Sequence, residues 1–257
     1  MNYGLYLSAS GLQTATYRLN VHASNLANVN TPGFKPDLPV TRQRDNVHVE
    51  DGVQQIPGNR ILDGLGGGVL MAPNRIETAQ APLETTDRPL DAAIEGKGFF
   101  VVRAAAGNDG LRLSRDGRFT INREGNLVQA SSGFPVLGDN DTPITLQRDV
   151  PAEIRRDGTI FQGGKIAGRL QVSRIADERL LRKAGDNALS APLEMTAKRT
   201  RAAGEVLQGS IERSGVDPVK ATLAIAEAER SATRAARMLQ NHDEVMQRAI
   251  DTFGRIG

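Results

Sequence analysis

The sequence predicts an α+β protein in which helices at the two ends of the chain pair as a coiled-coil-like axial domain around a central antiparallel all-β domain. Apolar residues recur every seven positions near both termini, which is typical of paired helices. Between the termini, short apolar runs alternate with turns rich in Gly, Asp and Asn, which is typical of antiparallel strands. The 257 residues suffice for one large domain or two modest ones.

The first helix is predicted over residues 5–28, within an N-terminal segment of residues 1–35. Its stripe consists of Leu5, Leu12, Leu19 and Leu26, with Ala9, Thr16 and Ala23 between them. We expect the helix to end near Asn28, because Thr31-Pro32-Gly33 follows and the residue before a proline disfavours helical geometry.

The last helix is predicted from Asp217-Pro218 to Phe253, within a C-terminal segment of residues 205–257. Asp can cap free helix N–H groups, and Pro suits the first helical position. The heptad stripe consists of Ile225, Ala232, Leu239, Met246 and Phe253, with Ala228, Ala235, His242 and Ala249. We expect this stripe to face the leucines of the first helix or those of a neighbouring subunit.

The middle of the chain divides into a loop-rich connector, residues 36–74, and a β domain, residues 75–204. The sequence leaves open whether the connector is ordered as strand or loop. Residues 94–102 and 166–175 each predict a strand, and Asp116-Gly117 predicts a hairpin turn between two short runs. Further turns are predicted at residues 122–126 and at Asp157-Gly158.

Composition excludes several classes of protein. The absence of cysteine excludes disulfides, thiol chemistry and iron–sulfur clusters, and 4% aromatic residues make an aromatic-lined pocket difficult to build. The net charge of +2 comes without a long single-sign run, so we expect no nucleic-acid partner. Apolar stretches are too short for membrane insertion, and no cleavable secretory signal is recognised.

No motif predicts catalysis, a metal or a cofactor, and we expect the protein not to be an enzyme. The three histidines lack partners at a recognised ligand spacing. Residues 64–68 are not a dinucleotide-binding glycine motif, because Val69 takes the place of the third glycine. Asp139-Asn140-Asp141 resembles the start of a calcium loop, but the required Gly and Glu are missing.

The most specific signal is the sequence His-Ala-Ser-Asn-Leu-Ala-Asn-Val-Asn-Thr-Pro-Gly-Phe at residues 22–34. It resembles the N-terminal signature of the bacterial flagellar basal-body rod and hook family. Residues 89–100, 115–119, 124–127, 133–138 and 209–219 resemble further blocks of that family in the expected order. The length suits the longer rod proteins, of F or G type. Gly215 replaces a common Asn, and residues 228–233 lack the usual pattern of the last helix, so the subtype stays open.

The resemblance implies a structural subunit of the flagellar rod that assembles helically, through its terminal helices, around an export channel. It implies partners among its own copies, other rod and hook subunits, surrounding ring proteins and the flagellar type III export apparatus, with export to the periplasm-spanning rod without a cleavable signal. The expected assembly interface comprises Leu5, Leu12, Leu19, Leu26, Asn25, Asn28, Thr31, Pro32, Gly33, Phe34, Ile225, Leu239, Met246 and Phe253.

Two alternatives belong to other classes of protein. One is a periplasmic or surface module whose β domain binds a ligand and whose helices form a stalk. The other is a hydrolase in which an unrecognised pair of carboxylates in the β domain acts as acid and base.

Overall fold

The computed structural model describes residues 3–45, 67–104 and 110–253. The chain forms two compact units: a helical unit (Met1–Leu26, Asp37–Asn74 and Asp217–Gly257) and a β unit (Ala27–Pro36 and Arg75–Val216). The helices are α1 (Tyr3–Ala27), α2 (Leu193–Ala197) and α3 (Pro218–Phe253). The strands are β1 (Asp37–Gln43), β2 (Val69–Ile76), β3 (Leu83–Thr85), β4 (Ala92–Glu95), β5 (Phe99–Arg103), β6 (Leu111–Ser114), β7 (Phe119–Ile121), β8 (Leu127–Gln129), β9 (Ala152–Ile154), β10 (Thr159–Gln162), β11 (Lys165–Arg169), β12 (Val172–Arg174), β13 (Arg182–Lys183), β14 (Leu189–Ser190), β15 (Thr200–Arg201), β16 (Glu205–Gln208) and β17 (Ser210–Glu212).

Helix α1 begins and ends close to the predicted residues. Its buried hydroxyl groups do not need partners elsewhere, because Ser8 donates to the carbonyl of Gly4 and Thr14 donates to that of Ser10. After Ala27 the chain turns, and the N–H of Thr31 donates to the Asn28 carbonyl at 3.1 Å.

Helix α3 begins where the sequence predicts. One carboxylate oxygen of Asp217 accepts the N–H groups of Val219 (3.0 Å) and Lys220 (3.2 Å), so this side chain caps the helix. Its 36 residues make α3 about 54 Å long. No helix within the described ranges is long and apolar enough to cross a membrane.

The connector between α1 and the β unit is partly ordered as strand. Strands β1 and β2 pair as a two-stranded sheet, and the Arg44 N–H donates to the Gly68 carbonyl beyond their ends. Residues 46–66, which include Gly64 and Gly66, lie outside the described part of the chain. Residues 37–74, most of the predicted connector, belong to the compact helical unit. Residues 205–216, the start of the predicted C-terminal segment, belong to the β unit.

The β unit is built from antiparallel strands around a six-stranded sheet of order β13-β14-β6-β5-β12-β15. Smaller sheets pair β9, β10 and β11, β4 with β16, β3 with β17, and β7 with β8. Strand β5 has both faces buried: Phe100 and Val102 point into one apolar cluster, and Phe99 and Val101 into a second. The alternation of side chains along one strand thus joins two cores.

Two strand predictions were wrong. Strands β6 and β7 do not form a hairpin across Asp116-Gly117, because β6 pairs with β5 and β7 pairs with β8. A Cβ on Gly117 would lie 1.6 Å from the Ala92 carbonyl oxygen, so the segment passes closely beneath another strand instead of turning in solvent. Residues 166–175 span parts of two strands, β11 and β12, which belong to different sheets, with Leu170 forming an isolated bridge to Gly138 between them.

Other local predictions hold. The turn at residues 122–126 joins β7 to β8, and Asp157-Gly158 joins β9 to β10. Residues 94–102 are split between β4 and β5 by a close approach at Gly98, where a Cβ would lie 2.5 Å from that of Ala202. Gly98 has a φ of +132°, a conformation that favours glycine.

Candidate assembly interface

Small residues on α1 face α3. A Cβ on Gly4 would lie 2.5 Å from Cε1 of His242, and one on Gly11 would lie 3.9 Å from the Cβ of Ala235. Residue numbers rise along α1 as they fall along α3, so the helices are antiparallel. Both contacts advance by seven residues, which agrees with the heptad spacing. The packing of the two helices is therefore established, whereas a coiled-coil supercoil stays a prediction.

A second face of α1 contacts the β1–β2 sheet through polar groups. Tyr17 donates its hydroxyl proton to the Ala72 carbonyl at 3.1 Å. The buried side chain of Asn25 donates to the Asp37 carbonyl at 2.7 Å and accepts the Asp37 N–H at 2.9 Å. Asn25 therefore fixes the start of β1 against the last turn of α1.

The four predicted leucines follow one heptad line along α1. Leu5 and Leu12 each follow a contact glycine by one residue and so are turned about 100° from the α3 contact. Leu5, Leu12, Leu19 and Leu26 are all half-buried. We call these four residues the leucine flank. Because these side chains are only partly buried, part of the leucine surface is exposed in the single chain.

The predicted interface residues of α3 differ in how far their side chains are buried. Ile225 and Leu239 are half-buried, and Ala221 and Ala228 are buried. Met246 lies beyond the point where His242 meets Gly4, and it is 46% exposed. Helix α3 continues for about 16 Å past that contact to Phe253, whose side chain lies outside the described residues. Ile250, 66% exposed, adds apolar surface to this extension.

The Thr-Pro-Gly-Phe segment is held inside the β unit. The Pro32 carbonyl accepts the side-chain amide of Asn187 at 2.7 Å, and the Gly33 N–H donates to the Glu212 carbonyl at 2.7 Å. Phe34 is buried, and the Lys183 ammonium lies 3.7 Å from the centre of its ring. Before this segment, the Asn28 side chain accepts the Thr31 hydroxyl at 3.1 Å.

Gly33 occupies a position that no other residue type fits. Its φ is +68°, and a Cβ there would lie 2.4 Å from backbone atoms of Arg115 and Asp116. Because backbone atoms cannot move aside as a flexible side chain can, both the conformation and the space require glycine.

A buried ionic cluster joins this segment to the end of the β unit. One Glu212 carboxylate oxygen accepts the Lys35 ammonium at 2.6 Å and the Ala81 N–H at 2.8 Å, and the other accepts the Arg115 guanidinium at 2.8 Å. The three charged side chains are at most 3% exposed. Lys35 also donates to the Ala79 carbonyl at 2.6 Å, which offsets part of the excess positive charge.

Sequence reasoning missed this cluster. Arg115 and Glu212 both lie in blocks that carry the family resemblance, but they are 97 residues apart and no local pattern pairs them. The available sequence signals were two: Lys35 directly follows the aromatic Phe34, and Glu212 lies within the short strand β17. Only the tertiary structure brings Lys35, Arg115 and Glu212 together.

Burial and capping change the pKa of several groups. Desolvation and then repulsion from Arg18 lower the pKa of His22 below its usual 6.5, and attraction to Glu227 partly opposes them. Desolvation lowers the pKa of Lys35 despite its pairing with Glu212. Backbone N–H donors lower the pKa of Asp217. The described residues contain no group of three or more potential metal ligands.

Three segments of the chain match family models. Residues 5–35 match the flagella basal body rod protein model, residues 93–162 the flagellar hook protein FlgE/F/G D1 domain, and residues 207–252 the flagellar basal body rod FlgEFG protein C-terminal model. The matched segments include most of α1, several of the central strands and most of α3. The class defined by fold and sequence is therefore that of the axial rod and hook proteins.

Similarity over the whole chain narrows this class. The chain is 33% identical to the flagellar basal-body rod protein FlgF of Caulobacter vibrioides, with 100% of both chains covered. It is 29% identical to the rod protein FlgG of Buchnera aphidicola, over 95% of this chain and 97% of that one. It is 27% identical to the hook-basal body complex protein FlhO of Bacillus subtilis, over 98% and 99%. The chain belongs to the flagellar basal-body rod protein family, and it is a structural subunit.

Proposed function

We propose that this protein polymerises helically through α1 and α3 to form part of the axial driveshaft of the flagellum around an export channel. The leucine flank is the observation that carries the proposal. Four half-buried leucines follow one heptad line along α1, the helix that packs against α3. Such a line offers apolar surface to a neighbouring helix, and burying each leucine contributes very roughly 1.5–3 kcal/mol.

The proposed contact is heterologous. The leucine flank of one subunit meets a different surface of the next, so that addition of subunits continues without closing a ring. The extension of α3, with Met246 and the end of the helix at Phe253, supplies a candidate for that second surface. Ile225 and Leu239 continue the same stripe toward the start of the helix, where they complete the interface.

The signature residues enter the proposal in two ways. Gly33, Phe34 and Asn25 are buried within the chain. The side chain of Asn25 also bonds the backbone of Asp37, the first residue of β1. Asn28 and its neighbours Thr31 and Pro32 are only half-buried, so each leaves surface that a neighbouring subunit can contact.

The partners and location follow from the family. We propose that the subunit lies in the periplasm-spanning rod of the basal body, next to other rod and hook subunits and within the surrounding ring proteins. Export through the flagellar type III apparatus delivers it there. The names of the similar proteins, rod protein and hook-basal body complex protein, support this placement.

The proposed subtype is the F type. Two rod proteins of the same bacterium, Caulobacter vibrioides, provide a matched comparison: the chain is 33% identical to its FlgF and 28% identical to its FlgG. Complementation of strains lacking either protein tests this assignment. We expect rescue of the strain without the F-type protein. Rescue of only the strain without the G-type protein would contradict the subtype.

Replacing one leucine tests the interface. We expect Leu19→Asp to prevent rod formation in a strain that lacks its own copy, because a carboxylate cannot be buried against an apolar partner without a large cost. The control is Gln13→Asp, which places the same charge on an exposed position of α1. The readouts are electron microscopy of isolated basal bodies and immunodetection of the exported subunit. Normal rods built from the Leu19→Asp protein would refute the leucine flank as an interface.

A further inference from the structure

The β unit carries a polar cleft of about 360 Å³ at the end of its six-stranded sheet where β12 pairs with β15. The side chains that line the cleft are polar except for Val172: Asp139, Asp141, Gln171, Ser173, Arg199 and Arg201. Strand pairing places Ser173 opposite Arg201, so these two side chains lie on the same face of the sheet. We call this feature the polar cleft.

The charged groups of the polar cleft balance one another. Asp141 forms an ion pair with Arg199, and a carboxylate oxygen of Asp139 lies 3.6 Å from the guanidinium of Arg201. Arg199 also donates to the Thr196 carbonyl at 2.8 Å. Two guanidinium groups thus face two carboxylates, and the lining favours a ligand with little net charge.

Two buried polar atoms of the lining have no hydrogen-bond partner. Three buried side-chain N or O atoms of the described residues lack one, and two of these belong to the polar cleft: Nε of Arg199 and Oε1 of Gln171. The Arg199 side chain is only 10% exposed. The Gln171 side chain bonds the Asp141 carboxylate, which uses its N–H and leaves its oxygen free to accept. Because buried polar groups are normally paired, one free donor and one free acceptor in the same lining indicate a ligand that supplies both partners.

The chemistry of the lining selects the class of ligand. An amide group has one acceptor oxygen, at least one N–H donor and no charge, and polypeptides carry it in the main chain and in Asn and Gln side chains. A carboxylate or phosphate offers acceptors alone and would lie beside Asp139 and Asp141. A metal ion would lie beside Arg199 and Arg201. We propose that the polar cleft binds a short segment of another polypeptide through such an amide group.

The rim of the polar cleft can open while the sheet beneath it stays fixed. The side chains of Arg201 and Asp139 are 51% and 41% exposed, and their 3.6 Å contact is longer than a hydrogen bond. Rotation of Arg201 outward breaks one hydrogen bond, to the Asp157 carbonyl at 3.2 Å, and gives the incoming segment access to the lining. The backbone below is held by the Ala202 N–H, which donates to the Val172 carbonyl at 2.9 Å.

The proposal concerns the folded β unit and does not depend on the proposed polymerisation. Nuclear magnetic resonance of the full-length, ¹⁵N-labelled monomer tests it, with the Nε–H signal of Arg199 and the side-chain amide signals of Gln171 as reporters. The ligand added is the uncharged peptide acetyl-Gly-Asn-Gly-amide. Parallel titrations use sodium acetate and glucose. Arg118 is the internal control, because its Nε–H already donates to the Asp116 carboxylate at 2.9 Å.

We expect the peptide to shift the Arg199 and Gln171 signals saturably, in the millimolar range, while the Arg118 signal stays in place. The proposal is overturned if these signals do not move up to the solubility limit of the peptide. Equal shifts with acetate would identify an anion site, and equal shifts with glucose a sugar site; either result overturns it. A long-lived water that stays next to the Arg199 Nε–H at the highest peptide concentration does so too, because that water then satisfies the lining.

One substitution tests the free donor. Arg199→Lys keeps the positive charge and removes the Nε–H. We expect the peptide to bind at least about tenfold more weakly, measured from the Gln171 signals. The matched control is Arg156→Lys, the same change at a side chain that is 76% exposed and lies outside the lining, and its affinity should equal that of the wild type. Unchanged affinity in Arg199→Lys would overturn the proposal. Should this variant not fold, the three wild-type titrations still decide it.

Discussion

Glu212→Gln should be among the most damaging substitutions that keep the size of a side chain. The carboxylate of Glu212 is fully buried and accepts three hydrogen bonds, two of them from the cations Lys35 and Arg115. An amide in its place removes the one negative charge that, among the described residues, forms an ion pair with these two cations. It also turns one acceptor into a donor that faces another donor. Removing one partner of a buried ion pair costs about 3–5 kcal/mol, because the remaining charge is left without compensation.

That cost can be compared with the stability of the whole β unit. A domain is stable by about 5–15 kcal/mol, so the substitution removes a large part of the total. For a unit of roughly 150 residues, the expected fall in melting temperature is about 6–20 °C. Differential scanning calorimetry of the full chain measures it without an optical probe, which suits a protein without tryptophan.

Two variants make the result interpretable. Lys35→Met leaves Glu212 paired with Arg115 and makes the cluster neutral, so it should cost less than about 1.5 kcal/mol. Glu205→Gln alters an exposed carboxylate whose partner Arg156 is also exposed, and it should change stability by less than about 1 kcal/mol. The reasoning fails if Glu212→Gln melts within 2 °C of either of these variants, with about 2 °C taken as the shift for 1 kcal/mol.

The remaining predictions concern glycine geometry and pH. Gly33→Ala should cost at least about 1 kcal/mol more than Gly133→Ala, because both positions have φ near +70° but only Gly33 lies against backbone atoms; equal denaturant midpoints would contradict this. The helical unit should lose stability as pH falls from 6.5 toward the lowered pKa of His22, because there the unfolded chain binds a proton that the folded chain does not. His22→Gln should remove that part of the pH dependence of helix melting followed by circular dichroism, and an unchanged slope would refute the assignment. The start of α3 should fray below about pH 3.8, as the Asp217 carboxylate is protonated at or below its lowered pKa; Asp217→Asn, measured by amide exchange at residues 219–220, should lack this acid step.

Local chemistry in the sequence determined the ends of the fold. The proline after Asn28 and the Asp217-Pro218 pair bound the two long helices, because capping and proline geometry act within a few residues. The same holds for the turns at residues 122–126 and 157–158, where short-range hydrogen bonds are sufficient. The heptad spacing also predicted that the helices pack, and the contacts of Gly4 with His242 and of Gly11 with Ala235 show that they do.

Only the tertiary structure shows how the strands pair and how residues 33–35 are bonded to residues 212–215. Asp116-Gly117 has the composition of a hairpin turn, yet its glycine lies against the Ala92 carbonyl, and the flanking strands belong to different sheets. The pairing of Lys35 with Glu212 spans 177 residues. Its stability depends on burial and on donors from other segments, and neither leaves a periodic pattern in the sequence. The spacing of apolar residues predicts whether a segment is helix or strand and which of its sides is apolar. It does not predict which distant segments bury a charged side chain together, because that depends on the folded chain.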